Sequence, residues 1–177
     1  MRRYCPLFER DIPLTEKLLR RIQSFEGDFP LPDLKKASGD GRAYVAKENG
    51  RIISLCLVSH NLGEALFPKS HSEAKLAGLL EKSGCRDEAL LAIYIYVDPA
   101  YWGKGAGNDL LQYMYSLYPH RSYLAPIGED KKKAMDFFHR HGFYLICEIP
   151  DSLQELGKQS FLFLKRHKKE GLACMDF

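Results

Sequence analysis

The feature that most constrains the fold is Leu90 to Val97, reading Leu-Leu-Ala-Ile-Tyr-Ile-Tyr-Val, a nearly continuous apolar run. A strand with one wet face alternates polar and apolar residues. A run without alternation is therefore expected of a central strand buried on both faces, with a layer of structure on each side. Asp98-Pro99 ends the run. Gly103, Gly105 and Gly107 follow, and then Leu110, Leu111, Met114 and Leu117 at helical spacing as far as Pro119. Strand, glycine-rich turn and helix start together describe an anion site. The amides of a first helical turn lack carbonyl partners, the helix dipole adds roughly half a positive charge, and glycines let a phosphate approach the backbone. Two familiar phosphate loops do not match. A P-loop needs Ser or Thr after Gly-Lys, where Gly105 follows Lys104, and a dinucleotide fingerprint needs glycine where Asn108 stands.

The other elements follow from period and punctuation. Residues 2 to 8 read as a first strand. Leu14, Leu18, Ile22 and Phe25 then define a helical face, with Asp11 placed to cap its start. Residues 27 to 41 read as loop with at most a short helix. Ala43 to Lys47 and Ile52 to Ser59 flank Asn49-Gly50, the pair suited to a two-residue hairpin turn. About thirty residues separate that hairpin from the central strand, long for a plain connection and so either a decorated loop or part of a binding site. Within it, Leu76, Leu79 and Leu80 suggest a helix stopped at Gly84. Beyond Pro119 come a strand at Arg121 to Ala125, a helix through Ala134, Phe137, Phe138 and His141 stopped by Gly142, and strands at Phe143 to Ile149 and Phe161 to Lys165. The order implies an α+β, three-layer arrangement around a mixed sheet. We read residues 1 to 177 as a single domain with a helical insert at about 61–89 and a short basic tail at about 166–177.

Composition narrows the function. Basic and acidic residues number 26 and 23, a net charge of +3, too even a balance for a nucleic-acid partner. The short runs Lys131 to Lys133 and Lys165 to Lys169 read as solvated faces or tails. The five cysteines, Cys5, Cys56, Cys85, Cys147 and Cys174, are odd in number and never form Cys-x-x-Cys, which suits reduced residues of a cytoplasmic protein. His139 and His141, two apart, point to different helix faces, and no metal-ligand spacing occurs. Neither a signal peptide nor a run of roughly 18 apolar residues is present, so no membrane association is expected. A homodimer is left open.

Val97-x-Pro99-x-x-Trp102-Gly103-Lys104-Gly105-Ala106-Gly107, followed by an amphipathic helix, resembles the acetyl-CoA pyrophosphate motif of the GNAT acetyltransferase superfamily. That motif is usually written Arg/Gln-x-x-Gly-x-Gly/Ala, with Trp102 here in its first position. Ala134-x-x-Phe137-Phe138-x-x-x-Gly142-Phe143 resembles the family's second motif, Asn-x-x-Ala-x-x-Phe/Leu-Tyr-x-x-x-Gly-Phe. Motif spacing carries the resemblance over residues 90 to 149, and element order extends it to the rest.

The resemblance implies the family's mixed sheet, splayed after the strand ending at Val97, and acetyl-CoA as cosubstrate without a metal. It implies that the backbone of Ile95, Tyr96 and Val97 pairs with pantetheine. By the same resemblance Trp102, Gly103, Lys104, Gly105, Ala106, Gly107 and Asn108 surround the pyrophosphate, and Lys131 and Phe138 line the coenzyme. The implied function is acetyl transfer to a primary amine of a small molecule or peptide by direct attack. The alternative is a catalytically weak acyl-CoA-binding or regulatory module. The family often places tyrosine where Phe138 stands, to protonate the thiolate, and asparagine where Lys131 stands, so those roles do not carry over. Its occasional carboxylate base would fall near Pro126. The catalytic residues are therefore unknown, with Tyr96 and Glu88 as weak candidates beside Tyr94, His60, Glu64, His71 and Glu73.

Overall fold

The computed structural model describes residues 1–27, 29, 31–60, 90–128, 130–149 and 160–167. The expected insert, with its helix and with Glu64, His71, Glu73 and Glu88, lies outside the described residues, as does most of the basic tail. Strands β1 (Arg2–Pro6), β2 (Ala43–Glu48), β3 (Arg51–Ser59), β4 (Leu90–Val97), β5 (Ser122–Gly128), β6 (Tyr144–Ile149) and β7 (Ser160–Lys165) form a seven-stranded sheet in the order β1-β2-β3-β4-β5-β7-β6. β4 and β5 are parallel, while β1 with β2, β2 with β3, β5 with β7 and β6 with β7 are antiparallel, so the sheet is mixed as expected. By contacts the chain divides into two compact units, Met1–His60 with Ile93–Tyr118 and Asn61–Ala92 with Pro119–Phe177, and β4 contributes to both.

In the first unit, helices α1 (Ile12–Glu26) and α2 (Leu34–Gly39) cover one face of the strands. Leu18, Leu19 and Ile22 pack with Leu34, Val45, Ile52 and Leu55 in a single apolar cluster. Helix α3 (Ala106–Leu117) covers the other face, where Ala106 packs on Ala46 and Ile53, and Tyr113 meets Tyr44 edge to face. Two helical layers thus enclose this part of the sheet. The hairpin is as read: Asn49 and Gly50 both take positive φ, +49° and +76°, and a bulge falls between Ala46 and Lys47. The short helix expected between residues 27 and 41 is α2, capped by Asp33, whose carboxylate accepts from the Lys36 amide at 2.9 Å.

Three expectations need correction. The buried face of α1 is Ile12, Thr15, Leu18, Leu19 and Ile22, whereas Leu14 and Phe25 are 43% and 67% exposed. Leu14 and Phe25 fall within about 20° of each other at the edge of the buried stripe, because at 3.6 residues per turn the centre of that stripe lies further round, between Leu18 and Leu19. Asp11 holds the N-cap position but makes no capping bond; its carboxylate instead accepts from Lys47 Nζ at 2.7 Å. On β4, burial is complete over Leu90–Ile93 but only partial over Tyr94–Val97. The ladder to β5 runs from Leu90 opposite Ser122 to Ala92 opposite Leu124, and burial weakens just past it.

In the second unit, Leu124, Ile127, Leu162, Phe163 and Leu164 of β5 and β7 are buried. Helix α4 (Lys132–Arg140) buries Phe138 alone of its residues. It stops at Gly142, φ +80°, whose amide donates to His139 O at 2.9 Å while the Phe143 amide donates to Phe138 O at 3.0 Å. These are the two bonds of a Schellman cap, and the apolar contact that goes with such a cap is present, Phe138 against Phe143 with ring centroids 4.9 Å apart. No helix among the described residues is long and apolar enough to cross a membrane.

Candidate active site

The turn after β4 is assembled bond by bond. Asp98 is buried; its amide donates to Ile53 O at 2.9 Å, and its carboxylate accepts from the Ala100 amide at 3.1 Å and from Arg21 Nη1. This seats the 3-10 turn Pro99–Tyr101, from which the Lys104 amide reaches back to Tyr101 O at 3.1 Å. Gly103 and Gly105 take φ of +71° and +82°, which only glycine adopts without strain. Gly105 is the N-cap of α3, and the first amide bonded into the helix is that of Asp109, donating to Gly105 O at 2.9 Å. The amides before it belong to a first helical turn, the group that has no intrahelical acceptor. Gly103, Lys104 and Gly105 are exposed, Asn108 is half-buried, and Ala106 and Gly107 are buried beneath them.

Trp102 does more than occupy a motif position. Its indole Nε1 donates to Val97 O at 2.9 Å, and its ring meets Phe25 edge to face at 6.4 Å. One of the backbone carbonyls expected to face pantetheine is thus already engaged by the turn. A carbonyl has a second lone pair, and Ile95 and Tyr96 flank it on the same half-exposed stretch.

Tyr96 stacks on Phe29, centroids 5.5 Å apart and planes 27° apart, and packs against the α1 and β3 cluster. Burial, aided by Cys56 and Glu26, pushes its hydroxyl up to about 12. It therefore stays protonated at neutral pH and can donate a hydrogen bond. It cannot serve as a base there. Tyr94 is raised further, by burial first and Tyr96 second. Among the described residues, His60 meets Tyr118 edge to face, rings 6.0 Å apart.

In the second unit, Lys131 is the N-cap of α4 without a side-chain capping bond, and its Nζ lies 3.9 Å from Asp130. Phe138 is only 6% exposed, edge to face with Phe137 and Phe143. His139 packs on Phe163 and His141 on Phe137, so the two imidazoles take different surroundings as their spacing implies. Among the described residues no group of three His, Cys, Asp or Glu is placed to hold a metal ion.

The sequence reading missed a cluster around the turn. Arg2 Nη2 donates to Lys104 O at 2.7 Å, Arg2 Nη1 to Asp109 Oδ2 at 2.7 Å and Arg2 Nε to Glu48 Oε1 at 3.3 Å. Tyr4 and Asn108 also donate to Asp109, at 3.3 and 3.1 Å. Burial opposes ionisation of Asp109, but these hydrogen bonds and the Arg2 charge outweigh it and hold the carboxyl below its usual range. Arg2 and Asp109 are 107 positions apart, and no local pattern links them.

The sequence model of the acetyltransferase (GNAT) family matches residues 12–143. Among curated proteins no sequence relative is detected. Similar solved structures include a GNAT-family acetyltransferase from Streptococcus agalactiae, at TM-score 0.70 and 13% identity over 95% of this chain and 96% of that one. The ribosomal-protein-S18-alanine N-acetyltransferase from Escherichia coli gives 0.67 and 15% over 97% of each chain. The Salmonella typhimurium protein yncA, solved with its cofactor acetyl-CoA, gives 0.65 and 15% over 97% of this chain and 96% of that one.

Proposed function

The chain belongs to the acetyltransferase (GNAT) family, and on that premise we propose that it transfers the acetyl group of acetyl-CoA to a primary amine of a small molecule or peptide by direct attack. Family membership decides for an enzyme of acetyl-CoA-dependent acetyl transfer over a binding module. The observation that carries the rest is the turn Gly103 to Asn108. Two left-handed glycines there, both exposed, deliver the chain into α3, whose first-turn amides lack intrahelical acceptors. Backbone amides and the helix dipole suit the coenzyme's pyrophosphate. Ile95, Tyr96 and Val97 are the proposed partners of pantetheine. Lys131 and Phe138 join the proposal through the motif resemblance alone, Phe138 being 6% exposed.

Acetyl-CoA supplies an activated acetyl thioester. The amine nitrogen bonds to the carbonyl carbon, the carbon–sulfur bond breaks, one proton leaves nitrogen and one is taken up by sulfur. If the coenzyme's thiol is near the cysteine reference of about 8.5, its thiolate is a tolerable leaving group near neutral pH. Tyr96, with its hydroxyl near 12, fits a hydrogen-bond donor to that sulfur better than a full proton donor. Water completes the protonation. No base on the described residues stands out, and unless residues 61–89 supply one the amine must arrive neutral. From reference pKa values this costs roughly 1.2 kcal/mol at pH 7 for an α-amino-like group and roughly 4.6 for a lysine-like one. The favoured acceptor is accordingly an amine of low pKa, such as an amino-acid derivative or a peptide N-terminus. Thiol release from acetyl-CoA across a panel of amines tests this. Release with α-amino acceptors is expected, and release with lysine-like amines alone would overturn the acceptor class.

A further inference from the structure

The turn proposed to hold the coenzyme's phosphates is fastened from a distant part of the chain. Arg2, on β1, spreads its guanidinium over three acceptors: Glu48 on β2, the Lys104 carbonyl inside the turn and Asp109 in the first turns of α3. A peptide group is planar and trans, so its C=O and N–H point in opposite directions. By taking Lys104 O, Arg2 therefore fixes which way the Gly105 amide faces, namely away from β1. Gly105 is also where restraint matters most, since glycine at φ +82° has more conformations open to it than any other residue.

The second consequence is electrostatic. The Asp109 carboxylate lies 3.8 Å from where a Cβ on Gly105 would sit, and Arg2 Nη1 lies 3.5 Å from the same point. An unpaired carboxylate there would repel an arriving phosphate. Paired with Arg2, and further bonded by Tyr4 and Asn108, it is neutralised and held. The arginine fork serves a carbonyl and a carboxylate at once, which a single ammonium on a flexible stem does less well.

We propose that Arg2 is a positioning residue for acetyl-CoA: acting through Lys104, Gly105 and Asp109, it aims the turn's amides and keeps the Asp109 charge from opposing the phosphates. This rests on the placement of the pyrophosphate at residues 103 to 108. The test is calorimetric acetyl-CoA affinity, with ligand-free thermal unfolding alongside, for wild type, Gly105→Asp, Arg2→Met, Arg2→Lys, Asp109→Asn and Arg2→Met/Asp109→Asn. Arg2→Met, which keeps the stem and removes the fork, is expected to bind about tenfold more weakly, and Arg2→Lys about threefold. Asp109→Asn, which keeps an acceptor for Arg2 but drops the charge, is expected to weaken binding by less than Arg2→Met. The double variant should recover part of the Arg2→Met loss, because the repelling charge is gone. A double variant that binds no better than Arg2→Met overturns the proposal, and a fall confined to ligand-free unfolding temperature marks the arginine as purely structural. Wild-type affinity in Arg2→Met, or in Arg2→Lys if Arg2→Met does not fold, alongside loss in Gly105→Asp, overturns the arginine's role and leaves the site standing. Unchanged affinity in a folded Gly105→Asp removes the site itself and the proposal with it.

Discussion

Gly105 and Gly142 have nearly the same backbone, φ +82° and +80°, yet they stand at opposite ends of helices and do opposite things. Gly105 opens α3, and the amides that follow it find their first intrahelical acceptor only at Asp109. Gly142 closes α4, and its amide and that of Phe143 are both spent on the helix's last carbonyls. The first arrangement leaves first-turn amides without intrahelical acceptors; the second binds both of its amides to the helix. Phe138 and Phe143, which read in the sequence as part of a coenzyme motif, are also the apolar contact that completes the α4 stop. A glycine in a motif therefore says that the backbone turns left, and its bonding partners say whether the turn serves a ligand or the fold.

The largest expected effect tests the fold side of that contrast. Phe138→Ala should destabilise the protein by about 3 to 5 kcal/mol in chemical denaturation, the usual cost of emptying a buried phenylalanine site. A loss well below 1 kcal/mol with a clear fall in acetyl-CoA affinity would make the ring a ligand contact instead. Next, Gly105→Asp should weaken acetyl-CoA binding by more than about tenfold, or about 1.4 kcal/mol, by adding a second carboxylate beside Asp109 and straining the φ of +82° that shapes the turn. Calorimetry on the folded variant decides it.

Gly142→Ala isolates the backbone term. A Cβ there meets nothing within 4 Å, so the cost is the left-handed φ alone, about 1 to 2 kcal/mol of stability with acetyl-CoA affinity unchanged. An affinity loss like that of Gly105→Asp would erase the distinction between the two glycines.

The smallest effect is in pH. Burial first, then Lys165 and Arg140, lowers the His141 pKa below its ordinary 6.5. The folded state favours neutral imidazole, so below pH 6.5 the unfolded chain takes up a proton that the folded chain resists. Stability present above that value is lost as pH falls through the depressed folded one. Asp109 is held below 3.8 and acts the same way only in stronger acid. Hydrogen exchange at pH 7 and 5.5 should show β5 to β7 loosening first, and His141→Asn should remove the difference. Equal loosening around α3 over that range would count against this assignment.

Much of the fold was legible because its signals are local. The unbroken run at Leu90–Val97 marks the central strand. Asn49-Gly50 marks the hairpin, and Gly103 and Gly105 mark a turn whose φ values only glycine takes easily. The face of α1 is only partly legible because a 3.6-residue period specifies a line of residues but not how far the neighbouring layer wraps around it. Leu14 and Phe25 sit outside that wrap. Trp102 was legible as a motif position, but its bond to Val97 O was not, since that depends on where the 3-10 turn brings the indole.

The sequence alone determined the order of elements, the left-handed turn and the family, because backbone preference and hydrophobic period act over a few residues. Tertiary structure decided that Asp11 pairs with Lys47 instead of capping α1, that Phe138 is packed on Phe143, and that Arg2 holds the turn with Asp109. Each of those joins groups that compete for several partners, and only the folded chain, by bringing residues as far apart as Arg2 and Asp109 within hydrogen-bond distance, selects among them.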